Sequence, residues 1–215
     1  MNKIIRCCIF DLGGTIVDKY SMTPILSMKQ LFKNNKLFVL EKYITKYMGI
    51  EKKQHLEIIM DNEQIRDQWY RNNGFEFNKK DLDDMFKEYK RIQKEIMITH
   101  MKIIPQTWKC VEELKNMNIL TGVTTGFDKD MTELIRLKLD NRGIFLDNYE
   151  YSDYEKYIMR PNVGMIASTM DKLDIEDPKS VLKVDDTEIG IKEGNEAGCW
   201  TVGVYRWSSY MNVLS

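Results

Sequence analysis

Long apolar runs are missing from this 215-residue sequence. None approaches the roughly 20 residues needed to cross a bilayer, and the amino terminus lacks the basic, apolar and small-residue succession of a secretion signal. The reading is a cytoplasmic protein with no membrane partner. An excess of charge of either sign is missing too: Lys and Arg number 32 against 33 Asp and Glu. No bulk attraction to nucleic acid or anionic lipid follows, so nucleic acid is not an expected partner and an anionic substrate must be held by a local site. Cysteine is scarce. Cys7, Cys8, Cys110 and Cys199 sit in apolar segments with neither metal-ligand nor disulfide spacing, and are read as buried free thiols.

What is present is a soluble globular composition, 43% hydrophobic and 30% charged, long enough for one large domain or a domain with an insertion. Residues 3–10 (KIIRCCIF) are β-branched and apolar, which suits a strand buried on both faces. From about residue 22 to 98 the period becomes helical. Leu82, Met85, Phe86, Tyr89, Ile92 and Ile96 recur at that spacing, as do Phe38, Tyr43, Ile44 and Tyr47, and no strand is evident. After Pro105 strands and helices alternate: a helix with Trp108, Val111 and Leu114, a strand at 119–125, a helix around Met131, Leu134 and Ile135, and an apolar patch at 144–151. A helix from Pro161, a strand at 180–184, a helix with GIKEGNEAG and a strand at 200–204 complete the pattern. The expected fold is α/β, a Rossmann-like parallel sheet with helices on both faces, interrupted by an all-helical insertion. The boundaries are 1–20 and 99–215 for the core and 21–98 for the insertion.

Open parallel sheets bind ligands beyond the carboxyl ends of their strands. Three such ends carry polar residues here: Asp11, Thr124 with Thr125, and Asp185 with Asp186. Asp11 followed by Gly-Gly-Thr can serve as a cap on a tight turn. A second strand ending in two aspartates changes that reading, because carboxylates converging across strand ends repel one another unless a cation lies between them. Oxygen-only ligands of this kind suit Mg2+.

FDLGGTIVD, GVTTG, Arg160-Pro161 and KVDDTEIGIKEGNEAGCWTVGV resemble, in order, the four motifs of the haloacid dehalogenase superfamily. The resemblance implies a Rossmann-like core with a helical cap inserted after the first motif. Asp11 is then the nucleophile, Mg2+ is held by Asp11, the Gly13 carbonyl and Asp186 with help from Asp185, and Thr124, Thr125 and Arg160 occupy phosphoryl-binding positions. A phosphatase of this superfamily carries a second aspartate two residues after the nucleophile, as general acid for an alcohol leaving group. Gly13 stands there instead, which disfavours ordinary phosphomonoester chemistry; a dehalogenase also lacks that acid, so Gly13 alone does not choose.

The insertion contains MGIEKKQH, residues 48–55, which resembles the Met-Gly-x-x-Lys-x-x-His signature of the phosphonatase branch, the phosphonoacetaldehyde hydrolases. That match implies a Schiff-base lysine at Lys52, with Met48, Gly49 and His55 at the other signature positions around the substrate. If Gly49 leaves a helix intact, the spacing puts Met48, Lys52 and His55 on one face. Carbon–phosphorus cleavage would expel a carbanion unless the adjacent carbonyl first becomes an iminium that accepts the electrons. Lys52 must then be neutral part of the time, which burial and nearby positive charge favour. A small phosphonate substrate and a homodimer are the implied partners.

Several positions depart from the branch: Phe127 where a tyrosine is usual, Met159 for the glycine before Arg-Pro, and Gly190 where many members carry an acid. Members also continue for one more strand and helix past the point at which this sequence stops, Ser215, so an uncovered sheet edge is expected. Two other readings stay open: a hydrolase of the superfamily with another small phosphoester or haloacid substrate, and a catalytically silent binding protein. His100 reads as structural, at the junction of insertion and core. The glycines at 190, 194 and 198 read as close packing of a helix on the sheet, since Lys192, Glu193 and Glu196 exclude a membrane helix.

Overall fold

Alternate residues of the first strand, β1 (Cys7–Phe10), serve two different cores. Cys8 and Phe10 pack with Val111, Val123, Met131, Ile135 and Leu139 on one face of the sheet, whereas Cys7 and Ile9 pack with Ile166, Ile175, Val181 and Cys199 on the other. A strand buried on both faces needs apolar residues at every position, which is why KIIRCCIF carries no alternation. The computed structural model describes residues 5–154 and 159–214; Lys3 and Ile4, at the start of the expected first strand, lie outside them.

Four further strands, β2 (Leu120–Thr125), β3 (Asn148–Tyr151), β4 (Val181–Asp185) and β5 (Trp200–Gly203), complete one parallel sheet in the order β3-β2-β1-β4-β5. Between β1 and β2 come only helices among the described residues: α1 (Met22–Asn34), α2 (Glu41–Lys46), α3 (Lys52–Met60), α4 (Glu63–Asn73) and α5 (Lys79–His100), then α6 (Thr107–Asn116). The later crossovers are α7 (Lys129–Asp140), α8 (Gly164–Lys172) and α9 (Glu188–Glu196). The chain runs from β1 outward through β2 and β3, then returns to the other side of β1 with β4. This reversal opens a crevice between the carboxyl ends of β1 and β4, where Asp11 and the pair Asp185 and Asp186 emerge. The helices before α6 bury their own cluster, with Ile25, Met28, Ile44, Leu56, Trp69, Leu82, Met85 and Tyr89 at its centre.

Four local expectations are corrected. Pro161 does not open a helix; residues 159–162 form a turn, Asn162 N–H donating to the Met159 carbonyl at 3.0 Å, and α8 starts at Gly164. Phe38 lies outside any helix and is 74% exposed. Cys110 is exposed, because α6 buries little beyond Thr107 and Val111. Finally, Gly49 does interrupt the helix, as described below.

The glycine spacing of the last helix works as expected. A Cβ on Gly194 would lie 2.8 Å from Thr201 Cγ2 and 2.9 Å from Lys183 Cβ, so α9 rests directly on β4 and β5. The strand β5 is an edge, with Trp200 and Val202 exposed. Gly194→Ala is predicted to lower the unfolding free energy by about 1–3 kcal/mol in urea titrations, through overpacking. Gly203→Ala, where nothing lies within 4 Å of the new methyl, is predicted to stay within about 0.5 kcal/mol of the parent.

Candidate active site

Asp11 follows β1 and is pinned there by its N–H, which donates to the Val184 carbonyl of β4 at 2.9 Å. The chain then turns on Gly14, whose φ of +71° suits glycine and whose missing Cβ leaves room for the Asp186 carboxylate, 2.4 Å from where it would be. Gly13 carries no acid and is less constrained than Gly14: a Cβ there would meet Ser21 Oγ at 3.1 Å and the Phe127 ring at an ordinary 3.7 Å. The linker from here into α1 holds three non-glycine residues at positive φ, Asp18, Tyr20 and Ser21, a strained stretch that the surroundings must hold in place. Tyr20 N–H donates to the Trp207 carbonyl at 2.8 Å, and Asp18 accepts from Thr23 N–H at 3.0 Å.

Beneath Asp11 lies a knot of buried charge. Arg160 is fully enclosed and donates to Asp11 Oδ1 at 2.9 Å and to Thr124 Oγ1 at 3.1 Å and the Thr124 carbonyl; it also pairs with Asp185 Oδ2 at 3.2 Å and Glu193 Oε2 at 3.0 Å. Lys183, also buried, pairs with Asp185 Oδ2 at 3.0 Å and donates to Thr124 Oγ1 at 2.9 Å. The expected phosphoryl-binding role of Thr124 is therefore corrected. It shares the face of β2 that carries Leu120 and Gly122, away from the cavity, and its hydroxyl donates to Glu193 Oε2 at 3.1 Å. The two-residue period delivers Thr125 to the cavity in its place. Arg160 is committed to Asp11, Asp185 and Glu193 and does not line the cavity.

Asp11, Asp185 and Asp186 each bring a carboxylate oxygen within 4.8 Å of the others. Burial and the neighbouring Asp185 push Asp11 up to about 6, against the pull of Arg160 and Lys183. Asp186 is raised well above the usual carboxylate range by burial, then by Asp11 and Asp185. Its Oδ2 accepts from Ser209 N–H at 2.9 Å, while its buried Oδ1 has no partner. Asp185, despite burial, is held below the usual range by Arg160 and Lys183. Four carboxylates, counting Glu193, thus lie around the cations Arg160 and Lys183, and the buried Oδ1 of Asp186 is left without a hydrogen-bond partner. A divalent cation fits that deficit, and hard oxygen donors fit Mg2+. Asp185 is the least free donor: its Oδ1 accepts from Thr187 N–H and Oγ1 at 2.9 and 2.8 Å, and Oδ2 is ion-paired. A Cβ on Gly190 would lie 1.9 Å from Asp185 Oδ2, so an acid at 190 and the observed Asp185 exclude each other.

The cap side is built by a turn rather than one helix. α2 stops at Lys46, Gly49 takes φ +95°, and α3 begins at Lys52, so Met48 and Lys52 do not share a helical face. Glu51 caps α3, accepting from the Lys53 and Gln54 N–H groups at 2.9 and 2.8 Å, an arrangement worth about 1 kcal/mol. The turn is pressed onto the core. A Cβ on Gly126 would lie 2.5 Å from the Gly49 carbonyl, and one on Gly49 would lie 2.7 Å from Thr187 Oγ1. Met48, Gly49 and Lys52 thereby line one cavity with Asp11, Gly13, Thr125 and Asp186. Lys52 Nζ donates to the Ile50 carbonyl at 2.9 Å and lies 6.0 Å from the Phe127 ring. Burial lowers its pKa to about 8, with Arg160 acting in the same direction against Glu51 and Asp11.

His55 is not brought to the cavity. It is fully buried, edge-on to Tyr47 with centroids 6.0 Å apart, and neither ring nitrogen has a hydrogen-bond partner. Burial and then the Lys52 charge push it down to about 3, so it is neutral. Sequence reasoning missed Ser21, Lys183, Glu193, Ser208 and Ser209. A charged residue inside the buried strand VLKV was a signal for Lys183; Ser208, whose hydroxyl donates to the Asp186 carbonyl at 2.9 Å, had none. With a volume of about 20 Å³ the cavity holds about one water.

Residues 8–204 match the family model for haloacid dehalogenase-like hydrolases. The chain belongs to that family. Among curated relatives, this haloacid dehalogenase-like hydrolase is 30% identical over 201 residues to a phosphonoacetaldehyde hydrolase of Hahella chejuensis, covering 93% of this chain and 68% of the relative. It is 28% identical over 209 residues to one of Bacillus cytotoxicus, covering 97% and 79%. A solved structure of a phosphonoacetaldehyde hydrolase-like protein from Oleispira antarctica superposes with a TM-score of 0.88 at 26% identity, over 95% of this chain and 74% of that one.

Mg2+ is predicted to raise the melting temperature of the hydrolase, by the equivalent of about 2.7 kcal/mol at a hundredfold excess over its dissociation constant. Asp186→Asn removes the carboxylate that Asp11 and Asp185 oppose. Differential scanning fluorimetry should then show a metal-free variant at least as stable as the parent and no further rise with Mg2+.

Proposed function

We propose that this hydrolase cleaves the carbon–phosphorus bond of phosphonoacetaldehyde, releasing acetaldehyde and phosphate. The observation that carries the reading is the meeting of Lys52, with its pKa lowered to about 8, and Asp11 in one cavity where residue 13 is a glycine and offers no general acid. The names of the relatives support it. So does the hydrophobic cluster of residues 25–92, which supports treating 21–98 as a cap that opens and 1–20 with 99–215 as the core. Among the described residues no helix is long and apolar enough to cross a membrane, and the composition suits a cytoplasmic enzyme.

The neutral Lys52 amine adds to the aldehyde and loses water, giving an imine that is protonated to the iminium. Asp11, oriented by Arg160, attacks phosphorus; the carbon–phosphorus electron pair moves into the iminium and leaves as an enamine. Water attacks the aspartyl-phosphate, freeing phosphate and the carboxylate. The enamine is protonated at carbon, and hydrolysis of the resulting iminium releases acetaldehyde and Lys52. Bound Mg2+ at Asp11, Asp186 and Asp185 would supply charge neutralisation between carboxylate and phosphonate. Phe127 and Met48 keep the lysine in an apolar surround, and the closed turn excludes water from the imine. A small phosphoester substrate finds less support, because nothing placed at residue 13 can protonate its alcohol.

Borohydride added during turnover of phosphonoacetaldehyde should trap a reduced adduct at Lys52, located by peptide mass spectrometry, and Lys52→Arg should lower turnover at least about a thousandfold. Only the neutral amine adds, so trapping should accelerate as pH rises through about 8 and level off above it. Absence of the adduct together with brisk turnover of phosphate esters would refute the proposal.

A further inference from the structure

Many exposed cations of this chain stand beside a carboxylate: Lys29 with Glu41, Lys90 with Asp128 and Asp130, Arg91 with Glu95, and Arg136 with Glu133 and Asp140. Lys102, Lys138 and Arg142 do not. Among the described residues none of the three has a carboxylate partner, yet all three line one open hollow of about 590 Å³, and no acidic residue lines it with them. In a chain of net charge −1 this is a local concentration of uncompensated positive charge, which raises the local concentration of anions. The remaining wall is apolar and aromatic: Trp108, 51% exposed, with Ile103 and the buried Ile144. Lys138 Nζ donates to the carbonyl of Met101, which also lines the hollow.

We propose that this hollow binds a nucleoside di- or triphosphate, its phosphates on Lys102, Lys138 and Arg142 and its base on the face of Trp108. Arginine offers a planar fork to phosphate oxygens, lysine a point charge, and an exposed indole a stacking platform. The volume is that of a small-molecule site of nucleotide size. The position is distinct from the catalytic crevice. Residues 101–103 join α5 to the core, where Ile103 bridges to Val17, while Lys138 and Arg142 belong to α7 and the loop after it. An occupant therefore ties the end of the helical insertion to the sheet domain across their connection.

The test is calorimetric titration of the intact protein with ADP, at about 0.15 M salt to screen unspecific attraction and without Mg2+. Saturable one-to-one binding is expected. The double variant Lys102→Gln with Arg142→Gln should weaken it at least about tenfold, as two charge-assisted contacts are lost. Trp108→Ala should weaken ADP by about tenfold and leave pyrophosphate unchanged. Arg136→Gln, which removes an already paired charge from the same helix, should change neither. Absence of saturable binding, an equal loss in Arg136→Gln, or pyrophosphate binding as tightly as ADP would each overturn the assignment.

Discussion

A guanidinium with no exposed surface has to be surrounded by acceptors, and the partners of Arg160 organise the whole crevice. Its bonds to Asp11, Asp185, Glu193 and Thr124 draw together the ends of β1, β2 and β4 and the helix α9. Removing one member of a buried pair of this kind leaves an uncompensated charge, at a cost of about 3–5 kcal/mol. The rest follows from that commitment. Thr124 turns inward, Thr125 is left for the cavity, and Asp185 is pulled into a position that only glycine at 190 tolerates. The carboxylates of Asp11, Asp185 and Asp186 still converge there, a donor set compatible with a divalent cation.

Above this fixed floor the helical insertion contributes the turn at 48–52 together with Ser21 and Pro24. The turn can seat closely because Gly49 and Gly126 carry no side chains. Close backbone approach of this kind gives a shut cavity with little room and a lysine far from water, and burial is the main reason Lys52 is a weaker base than usual. Asp11 and Lys52 thus belong to different parts of the fold and meet in one cavity with the turn seated.

Much of this was legible in the sequence, and the limits are physical. The first strand announced itself because a doubly buried parallel strand must be apolar throughout, whereas the half-buried β3, NYEY, read only as an apolar patch; the strand-end carboxylates stood out because polar residues at the ends of such strands have few structural uses. What one-dimensional spacing cannot convey is direction. Thr124 and Thr125 are chemically identical neighbours that the pleat sends to opposite faces. The run 48–55 has helical spacing, but the left-handed Gly49 divides it, so that Lys52 reaches the cavity and His55, buried, does not line it. Pro161 suits a first helical turn equally well as it suits the turn that returns Arg160 to Asp11. Ser208 and Ser209, which hold Asp186 from more than twenty residues away, leave no local trace.

The central claim is that the leaving group is managed from the cap, by an amine, and is therefore carbon rather than oxygen. Side-by-side product assays test it most directly: acetaldehyde and phosphate released from phosphonoacetaldehyde, against phosphate released from a small phosphate monoester, on the same Mg2+-loaded preparation. The account predicts equimolar acetaldehyde and phosphate, with the ester at least about a hundredfold slower, the usual contribution of a missing general acid. Ester hydrolysis matching or exceeding phosphonate cleavage would contradict it.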